Sequence, residues 1–273
     1  TGADGAFNPT VDRLVTLPDD GVLNYTSINI PAGVTVRFQR NTLNTPVQIR
    51  VSGNATIDGV IDVSGGDSAA VGTAGDGVIA DDGIPGSGGP GGFDGGRGGA
   101  PGASGFVGGQ GIGPGGGFPS QWQVVSAGVS FGCGGGGGGF AIDGGLGRYW
   151  GGVSGTCNTV TQTAGGGRAY GNERLLPLIG GSGGGGAAGG QTFAGSGGGG
   201  GGGAILIAAS GTLTINGAIR ANGGRAGASA GTGTGGAGRG GGGGAIRLIA
   251  STLAGNGALS AIGGIGATNE PVW

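Results

Sequence analysis

Residues 47–66 read VQIRVSGNATIDGVIDVSGG, and they align without a gap on residues 205–224, which read ILIAASGTLTINGAIRANGG. A third copy, one residue shorter, covers residues 246–264 and reads IRLIASTLAGNGALSAIGG. A repeat of about twenty residues is too short to bury its own apolar face, so neighbouring copies must stack to make a core. The repeat therefore predicts a fold built from stacked copies.

Glycines divide each copy into short strands. In the first copy they recur every six residues, at Gly53, Gly59 and Gly65. Apolar and polar residues alternate between them, which places Ile57 and Ile61 on one face of an extended chain. This pattern is typical of strands of four to five residues separated by corners.

The corner positions carry similar dipeptides: Asp58-Gly59, Asn216-Gly217 and Asn256-Gly257. Such a dipeptide is also the strongest short signal for a two-residue hairpin turn. We favour corners of a parallel β-solenoid, because small corners and an inward apolar face allow each copy to pack on the next. Neighbouring copies would then align Asp58, Asn216 and Asn256 in a column and place Asp62 beside Arg220.

The rest of the chain divides around these copies. Strand-like stretches at residues 22–30 and 34–38 are rich in β-branched residues and are separated by Pro31-Ala32-Gly33. The predicted organisation is an N-terminal extension at 1–21 that is a candidate inter-subunit strand, a first solenoid part at 22–66, an insertion at 67–203, a second solenoid part at 204–264 and a tail at 265–273.

The insertion is dominated by glycine, which makes up 84 of the 273 residues of the chain. From Gly83 to Gly98 a glycine occupies every third position, the period of an extended threefold helix. A collagen helix is one interpretation of this period, but the slip of the register at Pro101 and the small number of prolines argue against it. We favour packed strands of a polyglycine II type, because glycine keeps its N–H and lets such strands hydrogen-bond side by side. The predicted fold class is thus all-β, a parallel β-solenoid (β-helix) core with a long insertion of packed polyglycine II-type strands.

These motifs resemble a known group of proteins. The stretches IDGVIDVSGG from Ile57, GGAILI from Gly202 and TINGAIRANGG from Thr214 look like glycine-rich secreted bacterial β-helix proteins and are similar in style to filamentous-haemagglutinin-like exoproteins. By composition, the insertion is similar to the polyglycine-helix sandwiches of phage adhesins. The resemblance implies a right-handed β-helix and an extracellular or cell-surface structural role, with no catalytic motif.

Composition limits location and partners. Charged residues are only 10% and the net charge is −2, so no basic patch is available for nucleic acid. The apolar runs are too short for a membrane helix. The start Thr1-Gly2-Ala3 resembles the small-residue side of a removed secretion signal, and a trimmed chain would look the same, so we expect a secreted protein. A disulfide between Cys133 and Cys157 fits this secreted, extracellular location, with two buried thiols as the alternative.

Catalytic chemistry has few candidates here. The chain has no histidine, and twelve arginines account for all its Lys and Arg residues, so the usual bases and activated nucleophiles are absent. Asp76, Asp81 and Asp82 form an acidic cluster with Asp94, and paired carboxylates serve glycosidases. Asp-Gly pairs are, however, turn signals. We therefore predict no enzyme and no cofactor, with a weak calcium site at Asp76, Asp81 and Asp82 as the alternative use of the cluster.

Two functions fit this description. The first is a structural, non-catalytic subunit of a surface filament or matrix that assembles head to tail with copies of itself, because an uncapped end of the stacked copies can accept another subunit. The second is an adhesin or carbohydrate-binding module that presents glycine-rich faces with aromatic tips. We favour the filament, with predicted assembly residues at both termini: Thr1, Phe7, Val11, Leu14, Val272 and Trp273.

Overall fold

The computed structural model describes residues 2–68, 83–101, 106–126, 129–147, 165–190, 194–227 and 236–266. Within these ranges the backbone forms strands and no helix. The strands are β1 (Ala6–Phe7), β2 (Arg13–Thr16), β3 (Val22–Tyr25), β4 (Ser27–Ile30), β5 (Thr35–Gln39), β6 (Val47–Val51), β7 (Ala55–Ile57), β8 (Val60–Asp62), β9 (Trp122–Ser126), β10 (Val129–Gly132), β11 (Ala204–Ile215), β12 (Ala218–Arg220), β13 (Ala245–Ala254) and β14 (Ala258–Ser260).

Twelve of these strands belong to two parallel sheets. The seven-stranded sheet contains β1, β3, β4, β6, β7, β11 and β13, and the five-stranded sheet has the order β14-β12-β8-β5-β2. The long strand β11 pairs with β6 through its first half and with β7 through its second half. β9 and β10 form a separate antiparallel pair.

The first two copies of the repeat lie side by side in the register that the alignment predicts. Val47 pairs with Ile205, Ala55 with Leu213, and Val60 with Ala218. Side chains at equivalent positions of the two copies also contact each other: the Asn216 amide donates to the Asp58 carboxylate at 2.7 Å. The expected pairing of Asp62 with Arg220 is confirmed as a strand register, although Asp62 forms its ion pair with Arg37, at 3.6 Å.

The third copy is one residue shorter, and a local irregularity in its strand pairing accommodates the difference. Ala209 pairs with Ala250 and Thr212 pairs with Thr252, so two residues of β11 lie opposite the single residue Ser251 of β13. The bulge absorbs the missing residue, and the parallel register then continues to the end of β13.

The dipeptide corners connect the two sheets. β7 belongs to the seven-stranded sheet and β8 to the five-stranded sheet, so the chain crosses between sheets at Asp58-Gly59. The hairpin alternative is wrong at this position, because the two flanking strands are not partners. A Cβ on Gly59 would meet the carbonyl oxygen of Pro31 and the side chain of Ile30, which explains why glycine occupies this corner.

The apolar core lies between the sheets. Alternating residues of the strands point inward, and Ile57, Leu213 and Ile219 are fully buried. Phe7, Val15, Ile246 and Leu248 pack on the rim of this core and are only partly buried. Each buried side chain of this size contributes about 1.5–3 kcal/mol to folding, so the stacked apolar positions hold the two sheets together.

The predicted fold class is wrong. The parallel strands of the described residues lie in two sheets, most strands have two to five residues, and a long strand-rich parallel solenoid is not formed. The six-residue period sets strand length and corner position, but it does not set how many copies stack. Outside the sheets, much of the backbone pairing of the described residues is made by glycine segments that form no strands.

The glycine segments form one hydrogen-bonded body, which we call the glycine block. It comprises residues 83–99, 108–118, 132–139, 180–189, 195–203 and 236–244. The central segment, 180–189, is buried along its whole length, and its successive N–H groups donate to three different neighbours. Gly183 and Gly186 donate to Ile112 and Gly109, Gly184 and Ala187 to Gly199 and Ser196, and Gly185 and Ala188 to Gly136 and Cys133.

Every third N–H of this segment therefore points at the same neighbouring segment. Its carbonyl oxygens accept from further neighbours, including Gly96 and Gly99 on one side and Gly242 on another. A buried backbone without such partners would carry a large penalty, so this pairing is what makes a core of glycine stable. The missing side chains allow the segments to approach within hydrogen-bonding distance on all sides.

The glycine block is fastened to the sheets by a few side chains. The Arg40 guanidinium contacts the Asp94 carboxylate at 2.5 and 3.1 Å, and the Gly88 N–H donates to the same carboxylate at 2.7 Å. Phe140 packs with Ala204 and Ala245, the first residues of β11 and β13. Leu175, Leu178 and Ile179 pack against this second cluster, which is separate from the core between the sheets.

Candidate functional site

The two outer edges of the sheets are chemically different, and this difference defines the candidate site. We call the outer side of β13 and β14 the C-terminal edge, and residues 2–21 with the outer side of β3 the N-terminal edge. In the part of the chain that the structure describes, β13 pairs only with β11, and β14 pairs only with β12.

Two ladders of paired residues cross the core from one edge to the other. The first joins Phe7, Ile28, Ala55, Leu213 and Leu253. Leu213 is fully buried, whereas Leu253 at the C-terminal edge is 57% exposed. Leu253 thus occupies a core position that no further layer of the described residues covers.

The second ladder shows the same contrast more strongly. It joins Arg13, Val36, Ile61, Ile219 and Leu259. The three middle residues are at most 1% exposed, Leu259 is 54% exposed, and the opposite end of the ladder is a charged residue. A core position is therefore apolar and uncovered at one edge and occupied by an arginine at the other.

The N-terminal edge is closed by carboxylates. The Val22 and Asn24 N–H groups, on the outer side of β3, donate to Asp20 at 3.0 Å and to Asp4 at 2.6 Å. The Thr35 N–H, at the start of β5, donates to Asp12 at 2.8 Å. These contacts satisfy backbone donors that would otherwise be free to pair with another chain.

Aromatic packing completes the N-terminal edge. The rings of Phe7 and Tyr25 stack with centroids 4.9 Å apart. Burial, with the nearby Asp4 carboxylate, raises the pKa of the Tyr25 hydroxyl, while Arg13 acts in the opposite direction. The N-terminal edge is therefore folded onto the core, whereas the core positions Leu253 and Leu259 at the C-terminal edge are uncovered by the described residues.

The predicted assembly residues are placed as follows. Phe7 packs against the core of its own chain, while Val11 and Leu14 are 69% and 61% exposed. Leu14 pairs with Arg37 and lies on the outward side of the five-stranded sheet. Thr1, Val272 and Trp273 lie outside the described residues, so assembly through all six residues stays a prediction.

The other predicted sites are only partly described. Cys133 is disulfide-bonded and fully buried, but its predicted partner Cys157 lies outside the described residues. The same is true of the calcium candidates Asp76, Asp81 and Asp82. Within the described ranges, no group of three or more His, Cys, Asp or Glu side chains lies close enough to hold a metal ion.

Several structural side chains were not predicted from the sequence. Of the capping aspartates, only Asp20 makes the local contact of an Asx-type turn, to the N–H two residues later. Asp4 and Asp12 accept from N–H groups 20 and 23 residues away, so no local signal could have found them. Tyr170 is a second case: its hydroxyl donates to the Gly180 carbonyl at 2.5 Å and accepts from Ser182 at 3.1 Å. Burial raises the pKa of Tyr170 to about 12, against the lowering effect of the Ser182 contact.

Comparisons with known proteins add no assignment. No family model matches the chain, and no curated protein or solved structure shows significant similarity to it. None of the described segments is a helix long and apolar enough to cross a membrane. The candidate site therefore rests on the two edges.

Proposed function

We propose that this protein is an extracellular, non-catalytic structural protein, the subunit of a surface filament or matrix that assembles from copies of itself. The observation that carries the proposal is the C-terminal edge. β13 is ten residues long, and its sequence AIRLIASTLA contains one charged residue and no proline. Natural proteins protect exposed edge strands with charges, prolines or covering segments, and a long apolar edge without them is a site of association.

The exposed leucines indicate how much such association would contribute. Complete burial of a leucine side chain is worth about 1.5–3 kcal/mol. Leu253 and Leu259 are each about half exposed, so covering both contributes on the order of 2 kcal/mol. Contacts that repeat from subunit to subunit make a filament.

Other observations support the location and the absence of catalysis. Cys133 is disulfide-bonded, and structural disulfides are typical of proteins outside the cytosol. The sequence contains no histidine, which removes the commonest general base. The large share of residues in the glycine block is used for backbone packing, as expected of a structural protein.

The test is assembly at micromolar concentration. We expect long unbranched filaments of uniform width in negative-stain electron microscopy, and a critical concentration in sedimentation assays. Leu259→Asp should abolish assembly, because it places a carboxylate in the contact. Ile142→Asp is the matched control, since Ile142 is 78% exposed but lies in the loop after the glycine segment 132–139. Discrete monomers of the unmodified protein at all salt and calcium concentrations would refute the proposal.

A second candidate is favoured by exposed aromatic residues. Phe106 and Phe118, both in the glycine-rich region, are 56% and 49% exposed. Aromatic rings that face solvent are suited to stacking on sugar rings, as an adhesin or carbohydrate-binding module requires. Binding of polysaccharides by monomers, lost in the Phe106→Ala/Phe118→Ala variant, would support this function over assembly.

A further inference from the structure

Charge is distributed unevenly between the two edges. Residues 2–21 contain four aspartates, Asp4, Asp12, Asp19 and Asp20, and a single arginine, Arg13. Residues 204–266, which include the second and third repeat copies and the glycine segment between them, contain four arginines and no acidic residue. The arginines are Arg220, Arg225, Arg239 and Arg247. Arg247 lies on β13 at the C-terminal edge itself, and Arg220 lies one strand inward, on β12. The N-terminal edge is therefore acidic, and the two outermost layers at the C-terminal side carry arginines and no acidic residue.

Backbone pairing alone does not decide which surface would cover the C-terminal edge. The outward N–H groups of Val22 and Asn24 in β3 are already bound by Asp20 and Asp4. The N-terminal edge therefore presents carboxylates and a loop in place of free strand donors. A contact that uses this edge must rest on charge and on apolar side chains.

We propose that the C-terminal edge of one subunit binds the N-terminal edge of a second copy, and that attraction between arginines and aspartates selects this head-to-tail arrangement. This inference rests on the proposed function and specifies its interface. A contact between two C-terminal edges would bring the Arg247 side chains of both copies to the same interface, with Arg220 one strand behind each, and a contact between two N-terminal edges would bring aspartates together. Only the unlike pairing is attractive.

The arrangement has a consequence for assembly. A head-to-tail contact uses two different surfaces, so each bound subunit offers a new C-terminal or N-terminal edge to the next one, and the chain of subunits does not close unless the rotation forms a ring. The filament would be polar. Its subunits would all face in one direction, which negative-stain images of gold-labelled N-termini can show.

Salt dependence follows from the same charges. The Debye length, beyond which exposed charges are largely screened, falls from about 10 Å at 0.1 M salt to about 3 Å at 1 M. Attraction between exposed unlike charges is therefore largely lost at high salt, and we expect the critical concentration to rise on the order of tenfold over this range. Association by apolar burial alone would not weaken in this way, because salts do not reduce it.

Charge reversal tests the partner surface directly. Asp19 is exposed, and reversing it leaves the capping carboxylates of Asp4, Asp12 and Asp20 in place. Arg247 lies on β13 at the C-terminal edge. We expect Asp19→Arg and Arg247→Asp each to raise the critical concentration on the order of tenfold, and the double variant to assemble nearly as well as the unmodified protein. Arg50→Asp is the control, because Arg50 lies on the middle strand β6 and should have no effect.

The outcomes separate the two proposals. Loss in each single variant, recovery in the double variant and weaker assembly at high salt would support head-to-tail binding. Filaments that form regardless of salt and of both reversals would overturn this inference and leave the proposed function standing. Failure of the unmodified protein to assemble at low salt would overturn both. Circular dichroism of each variant confirms that the fold is retained.

Discussion

Replacing one glycine at the centre of the glycine block should have a large effect on stability. Gly186 lies in the buried segment 180–189, and its N–H donates to the Gly109 carbonyl at 2.9 Å. A Cβ at this position would overlap the carbonyl oxygen of Arg97. Both atoms involved belong to rigid backbone, so neither can move without disturbing its own hydrogen bonds.

The magnitude follows from two costs. Inserting a methyl group into a closely packed interior costs about 1–3 kcal/mol. The Arg97 carbonyl also accepts a hydrogen bond from Gly109 at 2.5 Å, and displacing it forfeits about 0.5–1.5 kcal/mol. Gly186→Ala should therefore destabilise the protein by about 2–4 kcal/mol, which for a chain of this size lowers the melting temperature by about 5–10 °C.

The matched control is another glycine of the same region. Gly145 is exposed, and a Cβ there would meet nothing within 4 Å. Gly145→Ala should be neutral or stabilising by up to about 1 kcal/mol, because alanine restricts the unfolded chain. Both variants are compared by urea unfolding followed by circular dichroism. Equal stabilities within about 0.5 kcal/mol would refute the idea that close backbone packing holds the block together.

Three further predictions concern side chains around the block and the edges. Burial acts to raise the pKa of Asp94, but the hydrogen bonds from Arg40 and Gly88 outweigh it and hold that pKa below its usual value. The Asp94 carboxylate should therefore stabilise the fold above about pH 4, and this stabilisation should be lost as pH falls through the lowered pKa. In a plot of melting temperature against pH, Asp94→Asn should show a smaller decline on the acid side. An unchanged decline would contradict this. Tyr170→Phe removes the donor to Gly180 and should lower the free energy of unfolding by about 1–3 kcal/mol in thermal or urea unfolding. Because the pKa of Tyr170 is raised in the folded protein, its hydroxyl favours the folded state below pH 10 and this advantage is lost as pH rises further, so the variant should lose less stability above pH 10. A variant as stable as the parent would show that the hydroxyl is dispensable. Asp20→Ala removes the acceptor of the Val22 N–H and should cost about 0.5–1.5 kcal/mol, measured by urea unfolding against Asp19→Ala; equal losses in the two variants would argue against capping.

Parts of the site were predictable from residues alone. The alignment of Ile61 with Ile219, and of both with the third copy, marks Leu259 as an inward-facing position of its copy. What the sequence does not show is that Leu259 is 54% exposed. Exposure depends on which layer lies at the end of the stack, and that is decided by how segments distant in the sequence pack.

The N-terminal edge was harder to predict for a related reason. Asp4, Asp12 and Asp20 look like ordinary turn residues, since aspartate commonly precedes glycine or a strand. The role of Asp4 and Asp20 appears only when β3 is found at the outer side of the sheet, where its N–H groups need acceptors. The role of Asp12 appears only when the start of β5 is found beside it. Likewise, Arg40 and Asp94 are 54 residues apart, and no local pattern connects them.

The repeat in the sequence determined which residues of neighbouring copies pair. Twenty-residue repeats fixed the strand register, so that Val47 pairs with Ile205 and Ala55 with Leu213, because each apolar residue must meet an equivalent one in the next copy. The tertiary structure alone decided that the strands form two limited sheets, that glycine segments bond in three directions, and that one edge is capped and the other uncovered. These properties depend on contacts between segments distant in the sequence, and local periodicity carries no information about them.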